Sequence, residues 1–310
     1  MNIIVTGATS FVGAAVVRCL LQQGHQVLAV ARAGSVNLPH LLEMVPEESR
    51  GSFAAAELEL GEISRIRESL TASGLFERAD AWLQGGWDGA GSDNRTKKEL
   101  QHRNTEYALE AVRAAAAAGC SKFLFTGSQA EYGICHEIIT EDTPCRPVSE
   151  YGKAKAAVLK PAGSLCKALG MEYIHARIFS IYGPGDHPWT LVQSCLRAWR
   201  QGGSMDLSDC SQRWNFLYIE DAAAALAGLL TDGRGGVYNI AGGDTRPLRQ
   251  FIEEMYALCG SRGSYRYGAR PQNAEGAAEL IPDIGRLCRE TGWKPQVSFA
   301  EGIRRMLAEA

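Results

Sequence analysis

The chain has 310 residues, of which 45% are apolar and 22% charged, and its formal net charge is −3. This composition is typical of a globular protein and excludes a mainly disordered chain, and a chain of this length can bury a core without disulfides. No block of basic residues occurs, which excludes nucleic acid or an anionic membrane as the main partner.

Short apolar runs and helix-like segments alternate along the first half of the chain. Periodicity predicts strands at 2–5, 26–31, 52–56, 79–83 and 122–126, and helices at 11–23, 63–72 and 100–118. Strands and helices that alternate at these lengths indicate parallel β-α-β units. We therefore predict an α/β fold with a Rossmann-like, doubly wound parallel sheet that helices cover on both faces.

The second half of the chain is less regular. Helices are predicted at 151–169, 191–201, 220–230, 247–258 and 299–308, and strands at 172–178 and 237–240. Proline and glycine are concentrated around 183–188 and 268–276, which indicates loops. No linker in the sequence is long enough to separate two independent domains.

Nine cysteines are scattered along the chain without a C-x-x-C pair. An odd, scattered set is typical of reduced thiols and favours neither a disulfide framework nor a zinc site. No apolar run approaches the roughly 20 residues that cross a bilayer, and the start of the chain lacks the features of a signal peptide. We expect a cytoplasmic protein with no membrane segment and no bound metal.

The segment 6–13, Thr-Gly-Ala-Thr-Ser-Phe-Val-Gly, joins the first predicted strand to the first helix. A helix N-terminus presents unpaired N–H groups and the positive dipole end, which suit a phosphate. Gly7 permits a tight turn and Gly13 lets the helix lie close to the sheet, so the segment favours dinucleotide binding over a purely structural turn. Ser10 replaces the middle glycine of a G-x-x-G-x-x-G spacing, and its side chain either crowds a pyrophosphate or donates to it.

The end of the second predicted strand bears on the choice between NAD and NADP. An acidic residue there binds the ribose 2′-hydroxyl, whereas an arginine accommodates a 2′-phosphate. The strand ends at Ala31 and is followed by Arg32 and Ser35, with no acid within reach along the sequence. We therefore favour NADP(H), with NAD(H) as the alternative and a solvated surface arginine as the structural interpretation of Arg32.

Tyr151 and Lys155 are four residues apart in a predicted helix and so lie on one face. A free tyrosine has a pKa of about 10, and a nearby ammonium and a cationic nicotinamide would lower it, so that the phenol can act as acid or base near neutral pH. The spacing alone is common on surface helices. Here it follows a strand and a serine-bearing loop at 125–133, and such loops at the carboxyl ends of parallel strands bind ligands.

With these motifs in this order, the chain resembles the extended short-chain dehydrogenase/reductases, in the NAD(P)-dependent nucleotide-sugar epimerase/dehydratase family. The resemblance runs nearly end to end and implies that Ser128 binds the sugar oxygen and that Tyr151 transfers a proton. It also implies that Lys155 both holds the nicotinamide ribose and lowers the pKa of Tyr151. The cofactor residues expected from the turn, the strand end and the resemblance are Gly7, Ser10, Phe11, Val12, Gly13, Arg32, Ser35, Glu59, Leu60, Gly85, Gly86, Asn104, Thr126, Tyr151, Lys155 and Phe179. The expected substrate residues are Trp87, Ser128, Gln129, Ser180, Arg213, Trp214 and Arg270.

The resemblance also implies how the chain is divided. Residues 1–170 are expected to form mainly the dinucleotide-binding region and 171–310 mainly the substrate-binding region, with the segments near 171–180 and 214–240 returning to the first. A homodimer is implied as well, packed through the helices at 100–118 and 153–169, where small side chains at 114–118 suit close packing.

Several positions depart from the family pattern. Sugar 4,6-dehydratases carry an Asp-Glu pair where this chain has Gln129 and Ala130, and Glu131 is expected to point elsewhere. Trp214 stands where the family often has arginine, whereas Arg270 matches and could clamp a diphosphate. A 4,6-dehydratase is therefore disfavoured, and the sequence does not name the sugar.

We interpret the sequence as a reductase that uses NADP(H) to reduce a 4-keto group on a nucleotide-diphosphate sugar. A nucleotide-sugar 4-epimerase with NAD is the alternative, because it would use the same three catalytic residues. A dinucleotide-sensing regulator without turnover is a third interpretation. It is disfavoured because such a protein could lose the Tyr/Lys pair, which is present here.

Overall fold

Strands and helices alternate through the first half of the computed structural model, which describes residues 1–271 and 279–309. The strands are β1 Asn2–Thr6, β2 Gln26–Ala31, β3 Phe53–Glu57, β4 Ala81–Gln84, β5 Lys122–Ser128, β6 Glu172–Ile178, β7 Ile181–Tyr182, β8 Ser204–Asp206, β9 Arg213–Asn215, β10 Leu217–Tyr218, β11 Gly236–Ile240, β12 Thr245–Pro247 and β13 Ser264–Arg266. The helices are α1 Phe11–Gln22, α2 Leu38–Met44, α3 Ile66–Ser73, α4 Lys98–Ala117, α5 Glu150–Ala168, α6 Leu191–Arg200, α7 Ile219–Thr231, α8 Leu248–Leu258, α9 Gly285–Thr291 and α10 Phe299–Glu309.

One seven-stranded sheet organises the fold. Its order is β11-β6-β5-β4-β1-β2-β3, and every neighbouring pair is parallel. These are the strands that the periodicity predicts, so the Rossmann-like, doubly wound fold is confirmed. The connections reverse direction between β1 and β4, and open parallel sheets bind ligands beyond the carboxyl ends of the strands at such a switch point.

Alternation along β1 explains why helices cover both faces. Ile3 and Val5 are fully buried against α1 and α7, whereas Ile4 is fully buried against α4 and α5. Because successive strand side chains point to opposite faces, a continuous apolar run needs cover on both sides. The sheet therefore forms two cores, and its carboxyl edge stays open to a ligand.

A third core lies in the C-terminal part of the chain. Trp199 of α6, Phe251 of α8 and Ile303 of α10 are buried in it together. Phe11 and Val12, at the start of α1, also pack against this core. The first helix therefore belongs to two cores, and its N-terminus lies where the sheet meets the C-terminal part.

The structure adds elements that the periodicity does not predict. The helices α2 and α9 have seven residues each, and α2 carries a proline near its start, so each is too short for a clear apolar period. Within 214–240, β9 and β10 pair in small separate sheets, whereas β11 joins the seven-stranded sheet, and the expected return of this segment stays a prediction. Part of the loop predicted at 268–276 lies outside the described residues, and the division at 170/171 stays a prediction.

The alanine-rich end of α4 packs within its own chain. Ala114, Ala115 and Ala118 are buried in the core beneath α4 and α5. This packing explains the small side chains without a second subunit, and the homodimer stays a prediction. Among the described residues, no helix combines the length and apolar character needed to span a membrane.

We predict that Gly13→Ala lowers the free energy of unfolding by about 1–3 kcal/mol, the range typical of overpacking. A Cβ on Gly13 would collide with the carbonyl oxygen of Gly7. Gly228→Ala in α7 is the matched control, because a Cβ there meets no atom within 4 Å. It should leave stability unchanged or raise it by up to about 1 kcal/mol through helix propensity. Urea unfolding measures both, and equal effects would contradict the proposed collision.

Candidate functional site

The turn between β1 and α1 lies directly against the backbone that follows β4. Gly7 has a φ of +66°, and a Cβ at this position would lie 2.7 Å from the carbonyl carbon of Gly85. A Cβ on Gly86 would lie 2.6 Å from Cδ2 of Leu60. We call Gly7, Gly85 and Gly86 the glycine cradle. Backbone without side chains can approach a pyrophosphate closely, so the cradle fits a dinucleotide. With Leu60, the cradle brings together four residues that are predicted to bind one.

Ser10 is the N-cap of α1. Its φ of −77° is open to any residue, so serine replaces glycine here without strain. Its Oγ accepts a hydrogen bond from the Gly13 N–H at 3.1 Å, which satisfies one donor of the first helical turn. The side chains of Phe11 and Val12 pack into the C-terminal core. These two residues could therefore bind a ligand only through hydrogen bonds from their backbone N–H groups.

The loop after β2 is bonded to an acid that lies far from it along the sequence. The carboxylate of Glu57, at the end of β3, accepts a hydrogen bond from the Gly34 N–H at 2.7 Å. Glu57 is distant from Arg32 along the sequence and comes close to this loop because β3 lies beside β2 in the sheet. The Arg32 guanidinium is exposed and forms no hydrogen bond or ion pair with the rest of the described chain. Ser35 Oγ donates to Thr9 Oγ1 at 3.1 Å.

The three residues expected to be catalytic lie together near the carboxyl end of β5. Ser128, Tyr151 and Lys155 are 6%, 8% and 3% exposed. Ser149 caps α5 by accepting the Gly152 N–H at 3.2 Å, which places Tyr151 in the first turn and Lys155 in the next. The Lys155 Nζ lies 5.8 Å from the centre of the Tyr151 ring. The roles of the three residues stay predictions.

Lys155 is held by a backbone oxygen and an aromatic face. Its Nζ donates to the carbonyl oxygen of Thr126 at 2.7 Å and lies 3.9 Å from the centre of the Trp87 ring. Burial lowers the pKa of Lys155 to about 7, with Glu131 opposing and Arg95 adding to the shift. The ammonium therefore loses its proton much more readily than a surface lysine does.

Tyr151 responds to the same surroundings in the opposite direction. Burial raises its pKa, because the charged phenolate loses its hydration. The Arg95 guanidinium and the Ser128 hydroxyl lower the pKa, and Glu131 raises it further. The phenol is therefore protonated at neutral pH and can serve as a proton donor.

Two buried side chains of α4 hold the segment 85–97, which we call the β4–α4 segment. Gln101 accepts the Trp87 indole N–H at 2.9 Å and donates to the carbonyl oxygens of Gly89 and Asn94. Asn104 accepts the Asp88 N–H and donates to the Asp88 carbonyl oxygen, both at 2.8 Å. The resemblance places Asn104 among the cofactor residues as the asparagine that supports the active-site backbone. Its polar atoms do hold backbone here, and its part in cofactor binding stays a prediction. No sequence motif marks Gln101, although it stands one helical turn before Asn104.

Glu131 is fully buried behind Ser128. Its Oε1 accepts the Ser128 N–H at 2.8 Å and lies 2.9 Å from Nε2 of His175, and its Oε2 accepts Nε of Arg177 at 3.0 Å. Burial would raise the pKa of Glu131, but His175, Arg177 and the Ser128 N–H together lower it. The carboxylate is therefore charged, and it is turned into the interior as expected.

Three further residues expected at the cofactor lie near the carboxyl edge of the sheet. Glu59 is half-buried and follows β3. Thr126 acts through both its oxygens, since Oγ1 donates to the Gln84 carbonyl oxygen at 3.0 Å and its own carbonyl oxygen holds the lysine. Phe179 is 4% exposed and lies in a closed cluster with Tyr132, so in this structure it is a core residue.

The residues expected to bind substrate are more dispersed. Gln129 and Ser180 are half-buried near the catalytic group, whereas Arg213 and Arg270 are exposed. The Arg213 guanidinium donates to the Thr245 carbonyl oxygen at 2.9 Å. Trp214 is half-buried, and its indole N–H is buried without a hydrogen-bond acceptor in the described structure. No group of three metal-ligating side chains occurs within the described ranges.

We predict that Glu131→Gln lowers the free energy of unfolding by about 3–5 kcal/mol, because it leaves the buried Arg177 guanidinium uncompensated. Glu110→Gln is the control, since it removes an exposed ion pair with Arg113 and should cost less than about 1 kcal/mol. Because the pKa of Glu131 is lower in the folded protein than in the unfolded chain, its carboxylate stabilises the fold at any pH above the unfolded-state pKa. This stabilisation is lost as the pH falls through the folded-state pKa. Urea unfolding at neutral and acidic pH tests this, and equal losses in both variants would contradict it.

Comparison with known proteins agrees with this geometry. The model of the NAD dependent epimerase/dehydratase family matches residues 3–241. The chain is 25% identical to UDP-glucose 4-epimerase of Corynebacterium glutamicum, over 96% of this chain and 91% of that protein. It is 26% identical to dTDP-6-deoxy-L-talose 4-dehydrogenase (NAD(+)) of Aggregatibacter actinomycetemcomitans, over 83% of this chain and 90% of that protein.

A solved structure shares the fold over nearly the whole chain. The UDP-glucose-4-epimerase of Stenotrophomonas maltophila, with bound NAD and formylated UDP-arabinopyranose, superimposes with a TM-score of 0.86 at 17% identity, covering 99% of this chain and 97% of that one. This superposition shows a shared fold alone, whereas the family model matches most of the chain and shows which family it belongs to. This chain belongs to the NAD dependent epimerase/dehydratase family.

Proposed function

We propose that the chain is a reductase that uses NADP(H) to reduce a 4-keto group on a nucleotide-diphosphate sugar. The observation that carries this proposal is the buried group of Ser128, Tyr151 and Lys155 beside the glycine cradle. The cradle and the N-terminus of α1 would hold the pyrophosphate. The cofactor would supply the hydride when bound, and the protein's own residues would handle the proton.

Tyr151 would donate its proton to the oxygen of the keto group as that oxygen gains charge. Ser128 would donate a hydrogen bond to the same oxygen. Its Oγ accepts the Ala130 N–H at 3.2 Å, which restricts the direction in which the hydroxyl can donate. Lys155 gives one donor to Thr126 and keeps two for ribose hydroxyls.

The departures from the family pattern favour reduction over loss of water. Gln129 and Ala130 offer no acid-base pair, and the Glu131 carboxylate is fully buried among its own partners, His175 and Arg177. A 4-epimerase would need the same catalytic group and no more, so it is the second candidate. Of the relatives named above, one is an epimerase and the other a 4-dehydrogenase, whose reverse reaction would reduce a 4-keto group.

The substrate site combines kept and altered features. We propose that Arg270 pairs with the diphosphate. At Trp214 the family's guanidinium is replaced by an indole, which can stack on a ring and donate one hydrogen bond. Its buried N–H has no acceptor among the described residues, so a substrate oxygen would satisfy it. This replacement favours a sugar nucleotide bound differently from that of relatives with arginine.

We predict that the purified protein consumes NADPH in a one-to-one ratio with a 4-keto sugar nucleotide, and that Tyr151→Phe lowers kcat/KM by about 100-fold or more. Loss of the hydroxyl removes the proton donor and leaves the glycine cradle intact. Cofactor affinity, measured by calorimetry, should therefore stay within about threefold of wild type.

Tyr107→Phe on α4 is the matched control for the loss of a hydroxyl, and it should keep full activity. Interconversion of two sugars without net oxidation would favour the epimerase. No turnover with any sugar nucleotide, together with intact cofactor binding, would favour the sensing regulator. Full activity of Tyr151→Phe would show that the proposed proton transfer is wrong.

We predict that Arg32→Ala weakens NADPH binding by about 10- to 100-fold and leaves NADH binding unchanged, because a charged hydrogen bond to the 2′-phosphate is lost. Glu57→Gln should act in the opposite direction, since its carboxylate stands beside the same loop and repels a phosphate. Arg67→Ala, an exposed arginine of α3, is the control for a change in net charge. Calorimetric titration with both cofactors measures the effect, and an unchanged NADPH affinity in Arg32→Ala would refute the preference.

A further inference from the structure

The β4–α4 segment brings a second cation to Tyr151. The Arg95 Cζ lies 4.5 Å from the centre of the Tyr151 ring. The carbonyl oxygen of Arg95 accepts the Tyr151 N–H at 3.0 Å, so backbone and side chain both join the two residues. Arg95 is half-buried, and the motifs of the sequence do not single it out. A guanidinium at this distance interacts with the phenolate through a partly desolvated environment.

Lys155 is less well placed to act on the phenol. Its Nζ lies 5.8 Å from the centre of the Tyr151 ring and is turned towards Thr126 and the Trp87 face. Trp87 is fixed in turn by its hydrogen bond to Gln101. The lysine is therefore held under the indole, where it can receive ribose hydroxyls, while the arginine lies against the phenol.

The two cations also differ in how well they keep their charge. Arginine stays protonated throughout the range in which proteins fold, whereas a buried lysine loses its proton easily. Burial lowers the pKa of Lys155 to about 7, and the cation that most opposes the effect of burial on Tyr151 is Arg95. The other charged group that acts on Tyr151 is Glu131, which disfavours the phenolate. Among these groups, Arg95 lowers the pKa of Tyr151 and lies 4.5 Å from the centre of its ring, whereas Glu131 raises that pKa.

We propose that Arg95 stabilises the phenolate form of Tyr151 and that Lys155 serves mainly to hold the ribose. Arg95 is then a positioning residue that acts through Tyr151. The two roles that the family resemblance assigns to Lys155 would belong to two side chains, with Lys155 holding the ribose and Arg95 lowering the pKa of Tyr151. This inference rests on the proposed function, since it assumes that Tyr151 carries the proton.

Arg95→Met removes the charge and keeps the length of the side chain, and Arg95→Lys keeps the charge. The Met variant should raise the pKa of Tyr151 by about 1 or more, the shift typical of a lost neighbouring charge. This shift is measured without turnover by titrating the tyrosinate absorption of the protein without substrate. The titration of the same variant carrying Tyr151→Phe is subtracted, which leaves the signal of Tyr151. In the direction that uses the phenolate as a base, kcat/KM at neutral pH should fall about 10-fold, and its rise with pH should move to higher pH. The Lys variant should restore most of both effects.

Arg103→Met, an exposed arginine of α4, is the control and should leave the titration and the pH profile unchanged. If Arg95→Met does not fold, Arg95→Gln gives the neutral comparison. An unshifted titration and pH profile in the neutral variant, while Tyr151→Phe is inactive, would overturn the role of Arg95 and leave the proposed function standing. Full activity of Tyr151→Phe would instead overturn the proposed function itself.

Discussion

The contact between Gly7 and the Gly85–Gly86 backbone is the constraint on which the site depends. A side chain at Gly7 or Gly85 would collide with the backbone across this contact, where the ends of β1 and β4 meet and the sheet reverses its connections. The contact fixes the turn that presents the N-terminus of α1. It also fixes where the β4–α4 segment begins, and this segment brings Trp87 against Lys155 and Arg95 against Tyr151. The glycine cradle and the buried group of Ser128, Tyr151 and Lys155 therefore depend on one backbone contact.

Burial determines how the charged groups of the site behave. Water is largely excluded from Ser128, Tyr151 and Lys155, so each neighbouring charge acts more strongly than it would at the surface. Glu131 lies behind Ser128 with its own partners, His175 and Arg177. Its carboxylate is therefore close to Ser128 and yet fully buried.

Local patterns in the sequence predicted the sheet and the catalytic spacing, because period and helical spacing are properties of neighbouring residues. Tyr151 and Lys155 are a case in point. Contacts between distant elements could not be predicted in this way. Glu131 and His175 are 44 residues apart and meet because β5 and β6 are paired, and Glu57 reaches the loop after β2 for the same reason. Arg95 lies in an irregular segment with no period, so the sequence alone gives it no position.

The packing of Phe11 constrains how the protein can move. The first turn of α1 is shared between the sheet and the C-terminal core, so the two parts have no free hinge between them at this point. A rigid rotation of the C-terminal part would also displace the N-terminus of α1, which lies beside the glycine cradle. Opening and closing over a ligand is therefore expected to occur by local rearrangement of loops, with the shared helix as the fixed axis.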